Sequence, residues 1–159
     1  TLHTLFPYTT LFRSLELDAS GQLSDRWSLI GSYAYTDAEV TKDPALQGKR
    51  LQNVAKHTGS LSAVYDVGSL LGGDDLRVGA GARYVGQREG DANNSFNLPG
   101  YTVADLFASY DTKIEGQKVK FQLNVKNLFD RTYYTSAASR VFVSMGDARQ
   151  VSVSSTLEF

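Results

Sequence analysis

The chain has 159 residues, 42% of them hydrophobic and 21% charged, and a formal net charge of −1. That balance argues against a nucleic-acid partner held by phosphate electrostatics. The absence of cysteine excludes disulfides and thiolate metal sites, and no apolar run approaches the ~18 residues that a membrane helix needs. A membrane β-barrel leaves no such trace in composition, because its lipid-facing and lumen-facing residues alternate and average out.

The N-terminal segment stands apart from the rest. Residues 4–14, Thr4-Leu5-Phe6-Pro7-Tyr8-Thr9-Thr10-Leu11-Phe12-Arg13-Ser14, resemble the translation of a sequencing-adapter oligonucleotide. The segment has no basic n-region, apolar stretch or small-residue cleavage site, so it does not read as a signal peptide. Residues 1–14 are therefore expected to be foreign sequence without packing of their own, and residues 15–159 to be the authentic chain.

From Leu15 onward the sequence predicts seven strands, near 15–23, 26–41, 55–67, 75–87, 100–111, 118–129 and 148–159. In the second, Trp27, Leu29, Tyr33 and Tyr35 share one parity, and in the third Leu61, Ala63, Tyr65 and Val67 do. The fourth sets Leu76, Val78, Ala80, Ala82 and Tyr84 against Arg77, Gly79, Gly81 and Arg83. The fifth points Ala104, Leu106, Ala108 and Tyr110 one way but carries Val103 and Phe107 on the other parity. The sixth is the cleanest, Val119, Phe121, Leu123 and Val125 against Lys118, Lys120, Gln122, Asn124 and Lys126. The seventh ends the chain on Val151, Val153, Leu157 and Phe159. Period-two alternation gives a strand one greasy and one wet face, and a soluble half-buried sheet would show it too.

Loop lengths separate the two readings. Counted back from Phe159, the connections 130–147, 88–99 and 42–54 are long, while 112–117 is short, 68–74 modest and 24–25 minimal. Outer-membrane barrels alternate short periplasmic turns with longer external loops in this way. The strand directions then place Trp27, Tyr65, Tyr110 and Phe159 near the periplasmic interface and Tyr35 and Tyr84 near the outer one, two aromatic girdles facing lipid.

An enzyme is not expected. His3 lies in the foreign segment and His57 at a strand rim, so no Ser/His/Asp arrangement can be assembled. The glycines of Gly79-Ala80-Gly81-Ala82-Arg83 alternate along a strand with no helix after them, which is not a phosphate cradle. Asn93-Asn94-Ser95 reads as loop chemistry, and Asp37, Glu39, Asp43, Asp91 and Asp130 as solvated charges. On the inward parity, Arg77, Arg83, Asp105, Lys118, Lys120 and Lys126 form a charged wall, with Arg83–Asp105 a candidate ion pair. The wall either consists of solvated cross-strand pairs or holds a plug or an anionic ligand. Lys49, Arg50, Gln87, Arg88, Asn93, Asn94, Phe96, Tyr133, Tyr134, Arg140 and Phe142 lie in the long loops. Among these, Arg88, Phe96, Tyr133, Tyr134 and Phe142 are the candidate ligand contacts, because aromatic and Arg side chains anchor recognition surfaces. Tyr133 and Tyr134 read equally as a continuation of the outer girdle.

The stretch Leu123-Asn124-Val125-Lys126-Asn127-Leu128-Phe129-Asp130-Arg131-Thr132-Tyr133-Tyr134 resembles the penultimate-strand signature of TonB-dependent outer-membrane receptors, with Gly146-Asp147-Ala148-Arg149-Gln150-Val151 leading into the last strand. Two blocks are similar to the ferric-hydroxamate (ferrichrome-type) branch. One runs from Tyr33-Ala34-Tyr35-Thr36-Asp37-Ala38 through Gly48-Lys49-Arg50, Asn53-Val54 and His57-Thr58. The other runs from Gly79 to Gly86, then Asp91-Ala92-Asn93-Asn94 and Leu98-Pro99-Gly100-Tyr101. The resemblance implies an all-β chain, about seven C-terminal strands of a 22-stranded plugged transmembrane barrel. It also implies a place in the outer membrane of a Gram-negative bacterium and energised uptake of a ferric siderophore, with iron as cargo and no resident cofactor or metal. The implied partners are outer-membrane lipid, the ferric siderophore, the plug, the TonB energy-transducing complex and, through Phe159, the barrel assembly machinery. Receptors for cobalamin, haem or a glycan, or a small structural or adhesion barrel, are the alternatives.

Overall fold

The computed structural model describes residues 9–69 and 74–158. Every regular element in them is a strand: β1 (Thr9–Gln22), β2 (Trp27–Lys42), β3 (His57–Gly68), β4 (Asp75–Val85), β5 (Arg88–Glu89), β6 (Asn97–Leu98), β7 (Tyr101–Ile114), β8 (Gln117–Lys126), β9 (Tyr134–Ser139), β10 (Phe142–Met145) and β11 (Gln150–Glu158). Seven of these form one antiparallel sheet in the order β1-β2-β3-β4-β7-β8-β11. The pairs β5–β6 and β9–β10 are small separate hairpins inside the long connections. Phe159, a predicted interface aromatic, lies outside the described residues.

The pairing carries the predicted parity across the whole sheet. Trp27 pairs with Tyr65, Tyr65 with Val78, Val78 with Ala108, Ala108 with Leu123 and Leu123 with Val153, so one face holds this entire row. Lys120, Asn124 and Lys126 take the opposite face, as the alternation requires, since a one-residue slip would invert them all. The apolar face is exposed along its length: Leu17 is 57% exposed, Leu61 57% and Val153 74%. A continuous exposed apolar belt of this size is not a feature of a water-soluble face.

At one end of the sheet the fully described connections, 23–26 and 115–116, are tight. Glu115 and Gly116 both take left-handed φ (51° and 83°), the signature of the two-residue turn whose twist matches a hairpin. At the other end lie the three long connections, 43–56, 86–100 and 127–149, in strict alternation with the short ones.

Two strand boundaries that matter differ from the sequence reading. β1 begins at Thr9, so residues 9–14 continue the strand by backbone pairing with Thr36–Lys42, although Leu11 and Phe12 stay exposed. Residues 1–8 lie outside the described part. β8 stops at Lys126 rather than near 129, because Asn127 and Asp130 adopt left-handed φ (49° and 51°) and turn the chain. Tyr133 and Tyr134 therefore do not extend the sixth main strand. In β7, Val103 and Phe107 do point to the polar face, and each has a local reason. Val103 belongs to a buried cluster described below, and the Phe107 ring lies across Gly79, where any Cβ would collide with it.

Candidate functional site: clustered loops over a charged inner wall

The three long connections are built into one body, and it sits on the polar side of the sheet. Tyr101 and Val103, on the inward parity of β7, bury against Tyr133, with Val85 packed alongside. The Tyr101 and Tyr133 ring centroids are 4.5 Å apart. The Tyr133 ring lies flat over Gly146, leaving no room for a side chain there. The longest connection thus folds inward, over the mouth of the concave face.

Arg88 clasps that fold. It is only 4% exposed. Its Nη1 donates to the Thr135 carbonyl at 2.9 Å and its Nη2 to the Tyr134 carbonyl at 2.5 Å, while its guanidinium lies 5.4 Å from the Tyr101 ring centroid. A planar fork with five donors suits two adjacent carbonyls and an aromatic face together. The 43–56 connection joins from the far side. Asn53 exchanges a pair of 2.9 Å bonds with the Ala137 backbone, and Gln52 Nε2 donates to Ala137 O (2.6 Å) and Gly90 O (3.0 Å). Asn94 makes the same two-way contact with the Arg50 backbone, and Arg50 pairs with Glu89 at 3.7 Å.

Asn127 ties the foot of the longest connection. It is 4% exposed. Its amide nitrogen donates to the Arg131 and Asp147 carbonyls (2.9 and 3.0 Å), its Oδ1 accepts from Arg131 N (2.9 Å), and its own N–H donates to Asp105 Oδ1 (2.8 Å). Asp130 Oδ1 accepts from Arg149 N at 2.8 Å, fixing the approach to β11. None of Gln52, Asn53 or Asn127 stands out in the sequence as a site residue. The available signal was residue type, since Asn and Asp tolerate left-handed φ best among residues with a Cβ, and Asn53, Asn94, Asn127 and Asp130 all adopt it.

The predicted ligand contacts fall into two groups. Arg88 and Tyr133 are buried inside the loop body and hold it together. Phe96 and Tyr134 are half-buried on it, and Phe142, 71% exposed, stands at the tip of the β9–β10 hairpin. Arg140 joins them: its guanidinium lies 5.6 Å from the Phe96 ring centroid and donates to Ser95 O at 2.6 Å. The Ser95 hydroxyl and N–H both bond to Asp91 and hold its carboxyl below the usual carboxylate range.

On the inner wall, Lys120 pairs with Asp111 (3.8 Å) and Lys118 with Glu158 (4.0 Å). The expected Arg83–Asp105 pair does not form. Arg83 sits opposite Val103 and Asp105 opposite Gly81, and Asp105 is taken by the Asn127 N–H. Among the described residues Arg77, Arg83 and Lys126 have no carboxylate partner, and a cavity of about 220 Å³ between Arg83, Lys126 and Tyr133 opens under the loop body. His57 lies on the apolar face, where its Nδ1 shares a 2.8 Å hydrogen bond with the Tyr33 hydroxyl. Trp27, Tyr35, Tyr65, Tyr84 and Tyr110 all lie on that face as well, the first, third and fifth towards the turn end and the others towards the loop end.

A curved antiparallel sheet with an exposed apolar belt outside, a charged wall inside and long loops folded over one mouth is the wall of a transmembrane β-barrel. The chain belongs to the TonB-dependent receptor-like β-barrel family, whose model matches residues 10–128. It is 45% identical over 92% of its length to the metal-pseudopaline receptor CntO of Pseudomonas aeruginosa, and 39% identical over 92% to the ferrichrome outer membrane transporter/phage receptor of Escherichia coli. Its fold matches the ferric preacinetobactin receptor BauA of Acinetobacter baumannii with a TM-score of 0.86, at 26% identity over 96% of this chain and 23% of that one. The chain spans about a fifth of the length of these relatives. It is a piece of outer-membrane barrel, from a family of receptors rather than enzymes.

Proposed function

We propose that residues 15–159 form the wall and outer loops of a receptor that takes up a ferric siderophore of the hydroxamate class, and that residues 1–14 are foreign to it. The observation that carries the reading is the loop body. Three connections, fastened by Arg88, Asn53 and Asn127, hold Phe96, Tyr134, Arg140 and Phe142 in one loop body, with Arg140 against the Phe96 ring and Phe142 exposed near the hairpin tip. Rigid aromatic and Arg anchors on a preorganised frame are what recognition of a bulky polar chelate needs, because little ordering cost remains at binding.

Arg77, Arg83 and Lys126, which have no carboxylate partner among the described residues, stand on the inner wall. They favour an anionic complex or the acidic side of a plug, and energy delivered through TonB acts on that plug rather than on the wall. Iron passes as cargo within its chelate. The hydroxamate class is supported by the 39% identity to the ferrichrome transporter and the 37% identity to the ferrioxamine B receptor of Salmonella typhimurium. The 45% identity to the metal-pseudopaline receptor favours a second reading, in which the cargo is a metal chelate of that kind.

The test is binding of ferrichrome, ferrioxamine B and metal–pseudopaline to the full-length receptor, with Tyr134→Ala and Phe142→Ala as variants. Tight binding of a ferric hydroxamate, weakened in both variants at normal barrel yield, supports the proposal. Binding of metal–pseudopaline alone selects the second reading, and no binding of any metal chelate refutes both.

A further inference from the structure

The apolar face is not uniformly convex. Towards the turn end it carries a depression of about 430 Å³, within the usual size of a small-molecule pocket. Ala63, Ala80 and Ala108 form its floor, and Trp27, Tyr65 and Leu123 stand around it. Trp27 and Tyr65 pack together with centroids 4.8 Å apart, giving one rigid aromatic side. All six residues point outward from β2, β3, β4, β7 and β8, the middle strands, so neither open edge of the sheet contributes to the hollow.

The turn-end rim below it carries both signs of charge. On one side Arg26, whose carbonyl accepts from Asp66 N at 2.8 Å, carries its guanidinium beside the Tyr65 hydroxyl. On the other, Asp74 accepts from the Tyr110 hydroxyl at 2.6 Å and from Thr112 Oγ1 at 2.8 Å. Tyr110 and Thr112 belong to the apolar face, so they draw the carboxylate to the lipid side of the rim. These two hydroxyls also hold Asp74 below the usual carboxylate range, which keeps it anionic. Tyr65 and Tyr110 lie two strands apart, roughly 10 Å at the sheet spacing.

We propose that this hollow retains one zwitterionic aminophospholipid of the periplasmic leaflet, an acyl chain lying on Ala63, Ala80 and Ala108, its phosphate at Arg26 and its ammonium at Asp74. The chemistry selects the headgroup. A cation alone would favour any phospholipid, whereas the facing carboxylate repels an added anionic charge and accepts hydrogen bonds from a primary ammonium but not from a quaternary one. The inference rests on the barrel assignment and is independent of what the receptor imports.

The experiment is native mass spectrometry of the full-length receptor in mixed micelles containing equal phosphatidylethanolamine, phosphatidylglycerol and phosphatidylcholine. One phosphatidylethanolamine should stay bound under activation that strips the other two. An A80L/A108L variant, which fills the hollow, should lose it. Arg26→Gln and Asp74→Asn, both outside the strands, should each weaken its retention about two- to fivefold, the size of one exposed ion pair. Heat-modifiable gel mobility, read on every variant, reports the folded barrel separately. Equal retention of phosphatidylglycerol, unchanged retention in the filled variant, or loss of a dimeric mass instead of a lipid would each overturn the proposal.

Discussion

Removing the Arg88 side chain should free the β9–β10 hairpin while leaving the barrel wall intact. Two hydrogen bonds from a charged donor to the Thr135 and Tyr134 carbonyls are worth about 1.5–3 kcal/mol each. Against that stands the buried Nε of the same guanidinium, which has no acceptor among the described residues, a cost of about 1–3 kcal/mol. The midpoints of the two ranges leave about 2.5 kcal/mol holding the hairpin to the wall, or roughly a 60-fold change in its local opening equilibrium at 1.4 kcal/mol per decade. Amide hydrogen exchange on the full-length receptor reads this directly. In Arg88→Ala the protected amides of residues 134–145 should exchange faster by that factor, and those of β8, across the sheet, should not change. Arg88→Lys should fall between, because an ammonium cannot fork to two carbonyls while lying on the Tyr101 ring. Unchanged protection at 134–145 in Arg88→Ala would show that Asn53, Gln52 and Asn127 hold the loops without it, and the clasp would be refuted.

Other expectations follow from the same geometry. Leu123→Lys puts a charge in the middle of the lipid face and should lower barrel stability by about 2–4 kcal/mol in urea unfolding. Gln122→Lys, one residue away on the wet wall, should change it little, and equal losses would contradict the register. Gly146→Ala drives a methyl into the Tyr133 ring and should cost about 1–3 kcal/mol by overpacking, whereas Tyr133→Leu in the same background should recover part of it; a neutral Gly146→Ala would mean the ring is not fixed there. The Asp91 carboxyl is held below its ordinary value by Ser95, so its contribution to the 91–95 turn is complete above the unfolded pKa of about 3.9. It is lost as pH falls through the lower folded value. Hydrogen exchange of that turn, corrected for intrinsic rates, should accelerate at the acid end, and Asp91→Asn should remove the dependence.

The wall was legible in the sequence because its information is local and periodic. Which residues face lipid depends only on parity along each strand, and Trp27, Tyr65, Val78, Ala108, Leu123 and Val153 share one row because each strand separately alternates. Loop lengths then set the direction of every strand. What parity could not say is why Val103 and Phe107 break the pattern, since their partners, Tyr133 and Gly79, lie 30 and 28 positions away. The sequence also made Arg88 and Tyr133 equivalent to Phe96, Tyr134 and Phe142, all loop residues of the anchoring types. Only the folded chain divides them, burying the first two as fasteners and leaving the others at the surface. The same holds for Arg83 and Asp105, close enough by register to suggest an ion pair until the Asn127 N–H claims the carboxylate. Backbone turns at Asn53, Asn127 and Asp130 bring these groups together, and a contact across 84 residues, such as Asn53 to Ala137, leaves no periodic mark on either segment. Strand faces are set by the pleat of each strand alone; a loop body is set by side chains from distant segments that the sheet brings together.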